Sequence, residues 1–270
     1  MDQGIPYKPL AVAAAGDGWL VVDKPAGISV HNDPGQDLIA QVQRLLTADQ
    51  QLAARTGFTG EGPIHAPHRL DRDTSGLALL CVSAPALAFY GAAFQTRRIG
   101  KCYLAVLHGR LGGIEGAGVW TFALARSGAG RKQPAGRGKR VACRTAFRAL
   151  VHSDHYTLAA CTPLTGRPHQ IRRHAKLAGH PVVGDRRYGS TRSLCYLKEK
   201  AGFVGLGLHA YGLDLPRPDR TDRQVVVSGL LPPALLQLLA GDGAPSEDTL
   251  GGVLRELADS RRWPGHSAHP

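Results

Sequence analysis

A run of nine residues, His68-Arg-Leu-Asp-Arg-Asp-Thr-Ser-Gly76, combines carboxylates and guanidinium groups directly before an apolar segment, residues 77–82. In an extended backbone, Arg69, Asp71 and Asp73 lie on one side of this run. A carboxylate beside guanidinium groups stays ionised at neutral pH, and an ionised carboxylate can act as a nucleophile or a base. The same composition also suits a turn with surface ion pairs, so the residue types alone leave both interpretations open, although the nine residues together form a far more specific pattern than any pair of them.

A second polar stretch, Thr165-Gly-Arg-Pro-His-Gln-Ile-Arg-Arg-His-Ala-Lys-Leu-Ala-Gly-His-Pro181, predicts one helix over residues 168–178. Pro168 suits the first helical position, and Gly179 suits the left-handed position after the last turn. The helix N-terminus together with Arg167 favours an anion. An ordinary basic surface helix would have a similar composition, so this stretch by itself indicates only a helix with anion-binding character.

Basic residues are concentrated between residues 126 and 144, where no acidic residue occurs. Over the whole chain, 33 Lys and Arg oppose 21 Asp and Glu, which gives a net charge of +12. Such a charge attracts polyanions. The intervening residues are mostly Gly, Ala, Ser and Pro, so that the backbone can follow phosphates closely. We expect a basic loop that contacts phosphates, rather than a merely solvated one; its members are Arg126, Arg131, Lys132, Arg137, Lys139, Arg140 and Arg144.

Other kinds of site are not indicated by the sequence. The pairs His65/His68 and His169/His174 lack the H-x-x-x-H spacing of helical zinc ligands. The five cysteines include no C-x-x-C pair, which argues against a disulfide framework. No G-x-S-x-G elbow or glycine-rich phosphate loop occurs, and no apolar run approaches the roughly 20 residues of a membrane span. We therefore expect a cytoplasmic protein without a metal, a cofactor or a membrane partner.

The elements that must position these residues follow from hydrophobic periodicity and from turn residues. We predict strands at 19–23, 77–82, 103–107, 141–150, 156–160, 206–215 and 225–227, helices at 36–47, 85–96, 168–178 and 232–240, and a loop at 48–67. Strands and helices do not alternate strictly, which favours an α+β domain with a mixed, largely antiparallel sheet. We divide the chain into a lead-in (1–16), a catalytic domain (17–240) and a tail (241–270) with a short helix near 247–258 and a disordered end.

Five motifs occur in an order that resembles the RluA-type family of pseudouridine synthases, over roughly residues 17–218. They are Val22-Asp-Lys-Pro-Ala-Gly27 with Val30-His31, the His68–Gly76 run, Lys101-Cys-Tyr103 with Gly109, Thr165–Arg172 with His174 and Gly184-Asp185, and Leu208-His-Ala210. The resemblance implies an α+β fold whose long mixed sheet has two halves, a central cleft and flanking helices. It also implies an isomerase that detaches uracil from ribose at N1, rotates it and rejoins it through C5, with no metal or cofactor.

The same resemblance assigns roles to individual residues. Asp71 is the catalytic carboxylate, and it either attacks C1′ or abstracts the 2′ proton. Tyr103 stacks on the target base, Arg172 pairs with Asp71, Arg69 helps to displace the flipped-out uridine, and Leu208 belongs to the substrate-binding set. Base flipping costs a few kcal/mol, which a stacking surface and a basic rim offset. The residues that we expect to contact RNA elsewhere are Arg131, Lys132, Arg137, Lys139, Arg140 and Arg167.

The expected partner is structured RNA, with ribosomal RNA preferred over transfer RNA, and the expected state is a monomer. Many members of the family carry a small RNA-binding domain before this region, whereas only a short segment precedes it here. We therefore expect the basic loop to recognise the RNA. Two alternatives remain: a non-catalytic RNA-binding protein on the same scaffold, and a metal-dependent nuclease that uses Asp71, Asp73 and Asp185.

Overall fold

The structure is a computed structural model, which describes residues 10–60, 62–112, 116–218, 221–229 and 231–265. The chain forms two compact units, Met1–Thr96 and Arg97–Pro270. The expected domain boundaries at residues 16 and 240 lie inside these units, and they stay a prediction. The α+β class is confirmed, because each unit combines helices with a β-sheet and every strand pair described below is antiparallel.

The first unit contains the strands β1 (Ala11–Gly16), β2 (Trp19–Lys24) and β3 (Ser75–Cys81), which pair in that order. Every residue of β3 is buried, and so are most residues of β2. Strand β1 falls within the segment that we expected to be only a lead-in. Its pairing with β2 shows that residues 11–16 belong to the sheet.

Helices α1 (Leu38–Ala48), α2 (Gln50–Thr56) and α3 (Ala84–Gln95) complete this unit. The predicted helices at 36–47 and 85–96 are thus confirmed, but the loop predicted over 48–67 is wrong in its first part. The side chain of Asp49 caps the start of α2, and Gly57 ends the helix with a left-handed φ of 67°. These are typical helix start and stop signals, which we had interpreted as loop residues.

The second unit contains β4 (Gly100–His108), β5 (Ala117–Trp120), β6 (Leu124–Ser127), β7 (Arg137–Val141), β8 (Thr145–His152), β9 (Tyr156–Pro163), β10 (Leu208–Pro216) and β11 (Arg223–Val227). Within this unit the strands lie in the order β11-β10-β4-β9-β8-β5, while β6 and β7 form a separate hairpin. The predicted pairing of two strands across residues 153–154 is confirmed by the register of β8 and β9.

Helices α4 (Gln170–Leu177), α5 (Thr191–Glu199), α6 (Pro233–Ala240) and α7 (Glu247–Glu256) accompany this sheet. Alternate residues of β4 divide the core in two. Leu104 and Val106 join a cluster with residues of α5, α6 and α7, whereas Ala105 and Leu107 join a cluster with residues of α4. The sheet therefore separates α4, on one face, from α6 and α7 on the other.

The segment after residue 241 is folded as far as the structure describes it. The expected short helix is α7, and Leu250, Leu254, Leu257 and Trp263 are buried in the same cluster as Leu104. The indole N–H of Trp263 donates to the carbonyl of Leu257 at 2.8 Å. The expectation of a disordered end is therefore wrong for residues 259–265, and it lies outside the described residues for 266–270.

Two further features bear on the kind of protein. In the part of the chain that the structure describes, no helix combines the length and the apolar character needed to cross a membrane. All five cysteines lie in this part, and all are free thiols, four of them buried. Burial is usual for free cysteines, because a reduced cysteine behaves as a small hydrophobic residue.

Candidate active site

Asp71 lies in a short irregular segment directly before β3. The segment changes direction after Asp71, because the N–H of Thr74 donates to the carbonyl of Asp71 at 3.1 Å and closes a turn. The extended backbone expected through Asp73 is therefore wrong beyond Asp71. Leu70 is 8% exposed and anchors the segment, whereas Asp71 is half-buried and Arg69 is exposed. The turn thus presents a carboxylate at the surface of the first unit.

A buried lysine holds this turn from inside. Lys24, at the end of β2, has no exposed surface, and its Nζ donates to the carbonyls of Pro25, Ile28 and Arg72 at 2.9, 2.9 and 3.0 Å. Burial lowers the pKa of Lys24 to about 8, although the nearby charges of Asp73 and Asp71 act to raise it. The ammonium group therefore links the turn at Asp71 to the Lys24-Pro25 turn and places a positive charge near both carboxylates.

A second link to this turn lies at the surface. The N–H of Gly27 donates to the carbonyl of Arg72, and the guanidinium of Arg72 lies 2.7 Å from a carboxylate oxygen of Asp33. The hydrogen bonds from Arg72 and Ser29 lower the pKa of the Asp33 carboxyl. The first and second motifs of the sequence are thus joined through the backbone of one residue, Arg72.

His68 fixes the start of the same motif. Its Nε2 accepts a hydrogen bond from the N–H of Leu79 at 2.9 Å, and its ring stacks on Phe94 with centroids 4.6 Å apart. His68 therefore has an acceptor role here, which differs from that of a zinc ligand. Among the described residues, no group of three or more His, Cys, Asp or Glu side chains could hold a metal ion.

Helix α4 begins two residues later than we predicted. Its first residue is Gln170, and His169 precedes it with a left-handed φ of 53°, so Pro168 is not the first helical residue. The Nδ1 of His169 lies 2.9 Å from the hydroxyl of Tyr188, which supports this unusual backbone. Gly179, at φ +87°, follows the helix as expected.

Arg172 forms a buried ion pair that the sequence analysis did not predict. Its Nε and Nη2 each donate to one carboxylate oxygen of Asp185 at 2.8 Å, and the two side chains are 7% and 0% exposed. The guanidinium also lies over the ring of Tyr188, 5.3 Å from its centroid. Burial alone raises the pKa of Asp185, but Arg172 and the backbone N–H groups of Tyr188 and Arg187 outweigh it and lower the pKa. The expected pairing of Arg172 with Asp71 stays a prediction.

Three further polar residues of α4, Gln170, Arg173 and His174, are buried as well, so α4 is not a basic surface helix. The side chain of Gln170 binds Thr165 and Arg144, at the end of the β8–β9 pair. The Nε2 of His174 donates to the carbonyl of Phe122, and its Nδ1 accepts from the hydroxyl of Thr145. Burial lowers the pKa of His174, in agreement with a neutral ring. Both side chains therefore fix α4 to residues 144–145, and each also binds a second segment.

Tyr103 lies on the same side of the sheet as α4. Residues 101 and 103 share a face of β4 and are half-buried, and Tyr103 packs against a cluster that contains Ile171 of α4 and Leu208 of β10. Leu208 itself is 4% exposed. The second unit therefore brings together two predicted residues, Tyr103 and Leu208, and the helix that carries a third, Arg172.

The basic segment is a β-hairpin and not an unstructured loop. Strands β6 and β7 pair with Leu124 opposite Val141, and the seven basic side chains between residues 126 and 144 are all exposed. The alternation of small and basic residues concealed these strands, since few apolar residues mark them. Three of the predicted RNA contacts also have internal partners: Arg131 donates to Thr191 at 2.7 Å, Arg137 donates to Gln133 at 3.2 Å, and Arg140 donates to the carbonyl of Gly136 at 3.5 Å. Arg167, before α4, is half-exposed.

Three residues of this site were missed or given another role by sequence reasoning. Lys24 was noted only as part of a motif, although a lysine that ends a buried strand is itself a signal of a specific partner. Arg173 was given no role of its own, and Asp185 was considered as a metal ligand of a nuclease. The partner of Asp185 is the Arg172 guanidinium, which provides a different explanation for this carboxylate.

Comparisons with known proteins agree on one family. The model of the RNA pseudouridylate synthase family matches residues 18–177. The chain is 34% identical over 218 residues to ribosomal large subunit pseudouridine synthase D of Zymomonas mobilis, and 28% identical over 222 residues to ribosomal large subunit pseudouridine synthase C of Buchnera aphidicola. Both alignments cover 78% of this chain, but only 66% and 64% of those relatives, which is slightly less than two thirds of their length.

Solved structures provide a comparison of the fold. Human RNA Pseudouridylate Synthase Domain Containing 1 superposes with a TM-score of 0.69 at 24% identity, covering 94% of this chain and 98% of that chain. Human RNA Pseudouridylate Synthase Domain Containing 4 superposes with a TM-score of 0.67 at 21% identity, covering 87% and 94%. At this level of identity the likeness shows a shared fold.

Proposed function

Because the chain belongs to the RNA pseudouridylate synthase family, in its RluA-type branch, we propose that it isomerises a uridine of structured RNA to pseudouridine with Asp71 as the catalytic carboxylate. The observation that carries the proposal is the position of the family match. Residues 18–177 include Asp71, Tyr103 and Arg172, each within the motif that carries its proposed role.

The chemistry requires few groups. The N1–C1′ bond breaks, the uracil turns, a C5–C1′ bond forms, and the proton on C5 is replaced by one on N1, so no oxidant, reductant or second substrate is consumed. Charge develops on the sugar and on the uracil during bond cleavage, and fixed charged groups stabilise it without reorganising. We propose that Asp71 acts on the ribose, at C1′ or at the 2′ proton. Lys24 supports this role, because it restrains the turn that follows Asp71.

We propose that Arg172 faces Asp71 and keeps it ionised and oriented. The bidentate pair with Asp185 supports this role, because it restrains the guanidinium in one orientation. Tyr103 would then stack on the flipped base beside Leu208, while Arg69, which is exposed, would fill the place of the base in the RNA. Stacking on an aromatic ring contributes about 1–3 kcal/mol per base, comparable to the cost of flipping.

We propose ribosomal RNA as the substrate, ahead of transfer RNA. The relatives named above are described as acting on the large ribosomal subunit. The exposed basic hairpin supports an RNA partner, since polyanion binding draws on exposed Lys and Arg. A cytoplasmic location, where these RNAs reside, is part of the same proposal, and so is a monomeric state without metal or cofactor.

Pseudouridine mapping of total RNA tests the proposal. Cells with and without the protein are compared, and the depleted cells are complemented with the wild type, with Asp71→Asn or with Asp33→Asn as a matched control. Asp33 is a carboxylate of the same unit that pairs with an arginine of the catalytic turn. We expect one uridine, in ribosomal RNA, to lose its modification and to regain it with the wild type and Asp33→Asn only.

Restoration by Asp71→Asn would show that this carboxylate is not catalytic. A missing uridine in transfer RNA would correct the substrate class while leaving the chemistry in place. If no uridine changes, and if the purified protein leaves ribosomal RNA unmodified in vitro, the isomerase proposal fails. The non-catalytic RNA-binding alternative then replaces it.

A further inference from the structure

Arg173 is the largest fully buried side chain of the described residues and has no role in the proposed chemistry. Arg173 follows Arg172 directly on α4, and its exposed fraction is 1%. Its guanidinium donates to four main-chain carbonyls: Nε to Pro134 at 2.7 Å, Nη1 to Pro168 at 3.2 Å, and Nη2 to Ala125 and Ala135 at 3.0 and 2.7 Å.

Three of these four acceptors belong to the basic hairpin. Ala125 lies in β6, while Pro134 and Ala135 lie in the connection to β7. A β-carbon added at Gly136 would lie 3.1 Å from the Nη2 of Arg173, which shows how closely the hairpin backbone approaches the guanidinium. Hydrogen bonds in which the donor is charged are stronger than those between neutral groups. The guanidinium of Arg173 therefore binds main-chain carbonyls of the protein rather than a ligand.

Two exposed arginines, Arg187 and Arg131, hold the outer end of the hairpin. The guanidinium of Arg187 donates to the carbonyl of Ala129 at 3.2 and 3.0 Å, and Arg131 donates to Thr191 and to the carbonyl of Arg186. Arg186 and Arg187 directly follow Asp185, the partner of Arg172. The hairpin is thus fixed to the same two segments, α4 and the 185–191 turn, that orient Arg172.

The hairpin needs such support. Its strands have four and five residues, and an isolated two-stranded hairpin is at best marginally stable in water. All five residues of β7 are exposed, so the hairpin buries little apolar surface of its own. A hairpin without this support would have to become ordered when RNA binds. The entropic cost of that ordering would weaken the affinity for RNA.

We propose that Arg173 is a positioning residue: it holds the basic hairpin as a preformed phosphate-binding surface in fixed relation to Arg172. The RNA part of this inference rests on the proposed function, whereas the anchoring part does not. Arg173 binds the backbone from inside, and the exposed side chains of Lys132, Arg137 and Lys139 remain directed to solvent. Substrate binding then depends on Arg173, while the chemical step does not.

Two measurements on the full chain test the inference. Limited trypsin digestion, analysed by mass spectrometry, follows cleavage between residues 126 and 144. Titration with in vitro transcribed large-subunit ribosomal RNA at several salt concentrations, together with single-turnover rates at saturating RNA, follows function. The variants are Arg173→Met, Arg173→Lys and Arg187→Met. Lys176→Met is the matched control, because Lys176 is a half-buried cation of the same helix outside the hairpin contacts.

We expect both Arg173 variants to be cleaved in the hairpin at least ten-fold faster than the wild type, to bind RNA about ten-fold more weakly and to show a shallower salt dependence, with an unchanged single-turnover rate. Arg187→Met should act in the same direction but less strongly, and it keeps the test available if Arg173 variants do not fold. Lysine should not rescue, since one ammonium cannot replace a guanidinium that binds four carbonyls. Lys176→Met should resemble the wild type.

Unchanged cleavage in Arg173→Met and Arg187→Met would overturn the anchoring role. Faster cleavage with unchanged RNA affinity would overturn the assignment of the hairpin to RNA binding. A loss confined to the single-turnover rate would place Arg173 in the chemistry instead and would also contradict the proposal. If the wild type itself shows no salt-dependent RNA binding, the proposed function fails, and the digestion alone then decides whether Arg173 anchors the hairpin.

Discussion

The buried pair of Arg172 and Asp185 provides the sharpest test of how the site is held together. We consider the substitution Asp185→Asn, which keeps the shape of the side chain and removes its charge. In the wild type, Oδ1 accepts from Nη2 of Arg172 and from the N–H groups of Arg187 and Tyr188, while Oδ2 accepts from Nε of Arg172. The asparagine oxygen can retain the first three hydrogen bonds, but its amide NH₂ then faces the Nε–H, so that two donors oppose each other.

The expected loss is large because both side chains are almost fully buried. Removing one partner of a buried ion pair leaves an uncompensated charge and typically costs about 3–5 kcal/mol. We expect a decrease of that size in the free energy of unfolding of Asp185→Asn at pH 7. Arg172 also loses its fixed orientation, so pseudouridine formation should fall more than RNA binding does.

The pH dependence separates this effect from a general loss of packing. The folded pKa of Asp185 lies below its ordinary value of 3.8, so the ionised carboxylate stabilises the folded state fully above pH 3.8. That contribution is lost as the pH falls through the folded pKa. The difference in unfolding free energy between the wild type and Asp185→Asn should therefore be constant from pH 5 to 7 and decrease towards pH 3.

Urea unfolding followed by circular dichroism measures these values. Asp33→Asn is the control, because the pair of Asp33 and Arg72 is exposed and should contribute much less. A loss below about 1 kcal/mol for Asp185→Asn, or one that is independent of pH down to 3, would refute the reasoning, since neither is compatible with a buried ion pair.

Three further predictions concern other parts of the molecule. The folded pKa of Lys24, about 8, lies below its ordinary 10.5, so the unfolded chain binds more protons between these values. The free energy of unfolding, measured with urea, should therefore rise from pH 8 to 10.5 by about 3 kcal/mol more in the wild type than in Lys24→Met. Parallel pH profiles of the two proteins would contradict the burial of this lysine. Trp263→Ala should lower the unfolding free energy by about 3–5 kcal/mol, whereas a loss under 1 kcal/mol would show that the C-terminal segment is dispensable. Replacing Lys132, Arg137 and Lys139 with Gln should reduce the slope of log K against log salt for RNA by about 2–3, and an unchanged slope would remove the hairpin from the RNA surface.

Local features of the sequence were sufficient to predict much of this protein. The alternating and continuous apolar runs predicted most strands outside the β6–β7 hairpin, and helical spacing predicted α1, α3, α6 and α7, because burial of one face imposes a period on the residues. The order of five motifs led to the family, which the match over residues 18–177 shows. The same motifs named Asp71, Tyr103 and Arg172, whose roles in catalysis stay predictions.

Elements without a hydrophobic period were missed. Helix α2 is short and polar, and β6 and β7 carry basic residues in place of apolar ones, so that neither produced a pattern. The hairpin exists because it is fixed to α4 and to the 185–191 turn. A strand that owes its stability to distant partners has no signal in its own residues.

The tertiary structure alone decided which charges are buried and what they bind. Lys24, Arg172 and Arg173 appear in the sequence as three of many basic residues, and composition assigns such residues to the surface. In the folded chain, Lys24 binds main-chain carbonyls, Arg172 binds Asp185, and Arg173 binds the hairpin backbone. A cation can be buried only where acceptors from other segments converge on it. That convergence depends on the path of the whole chain, and so it could not be read from the spacing of the residues.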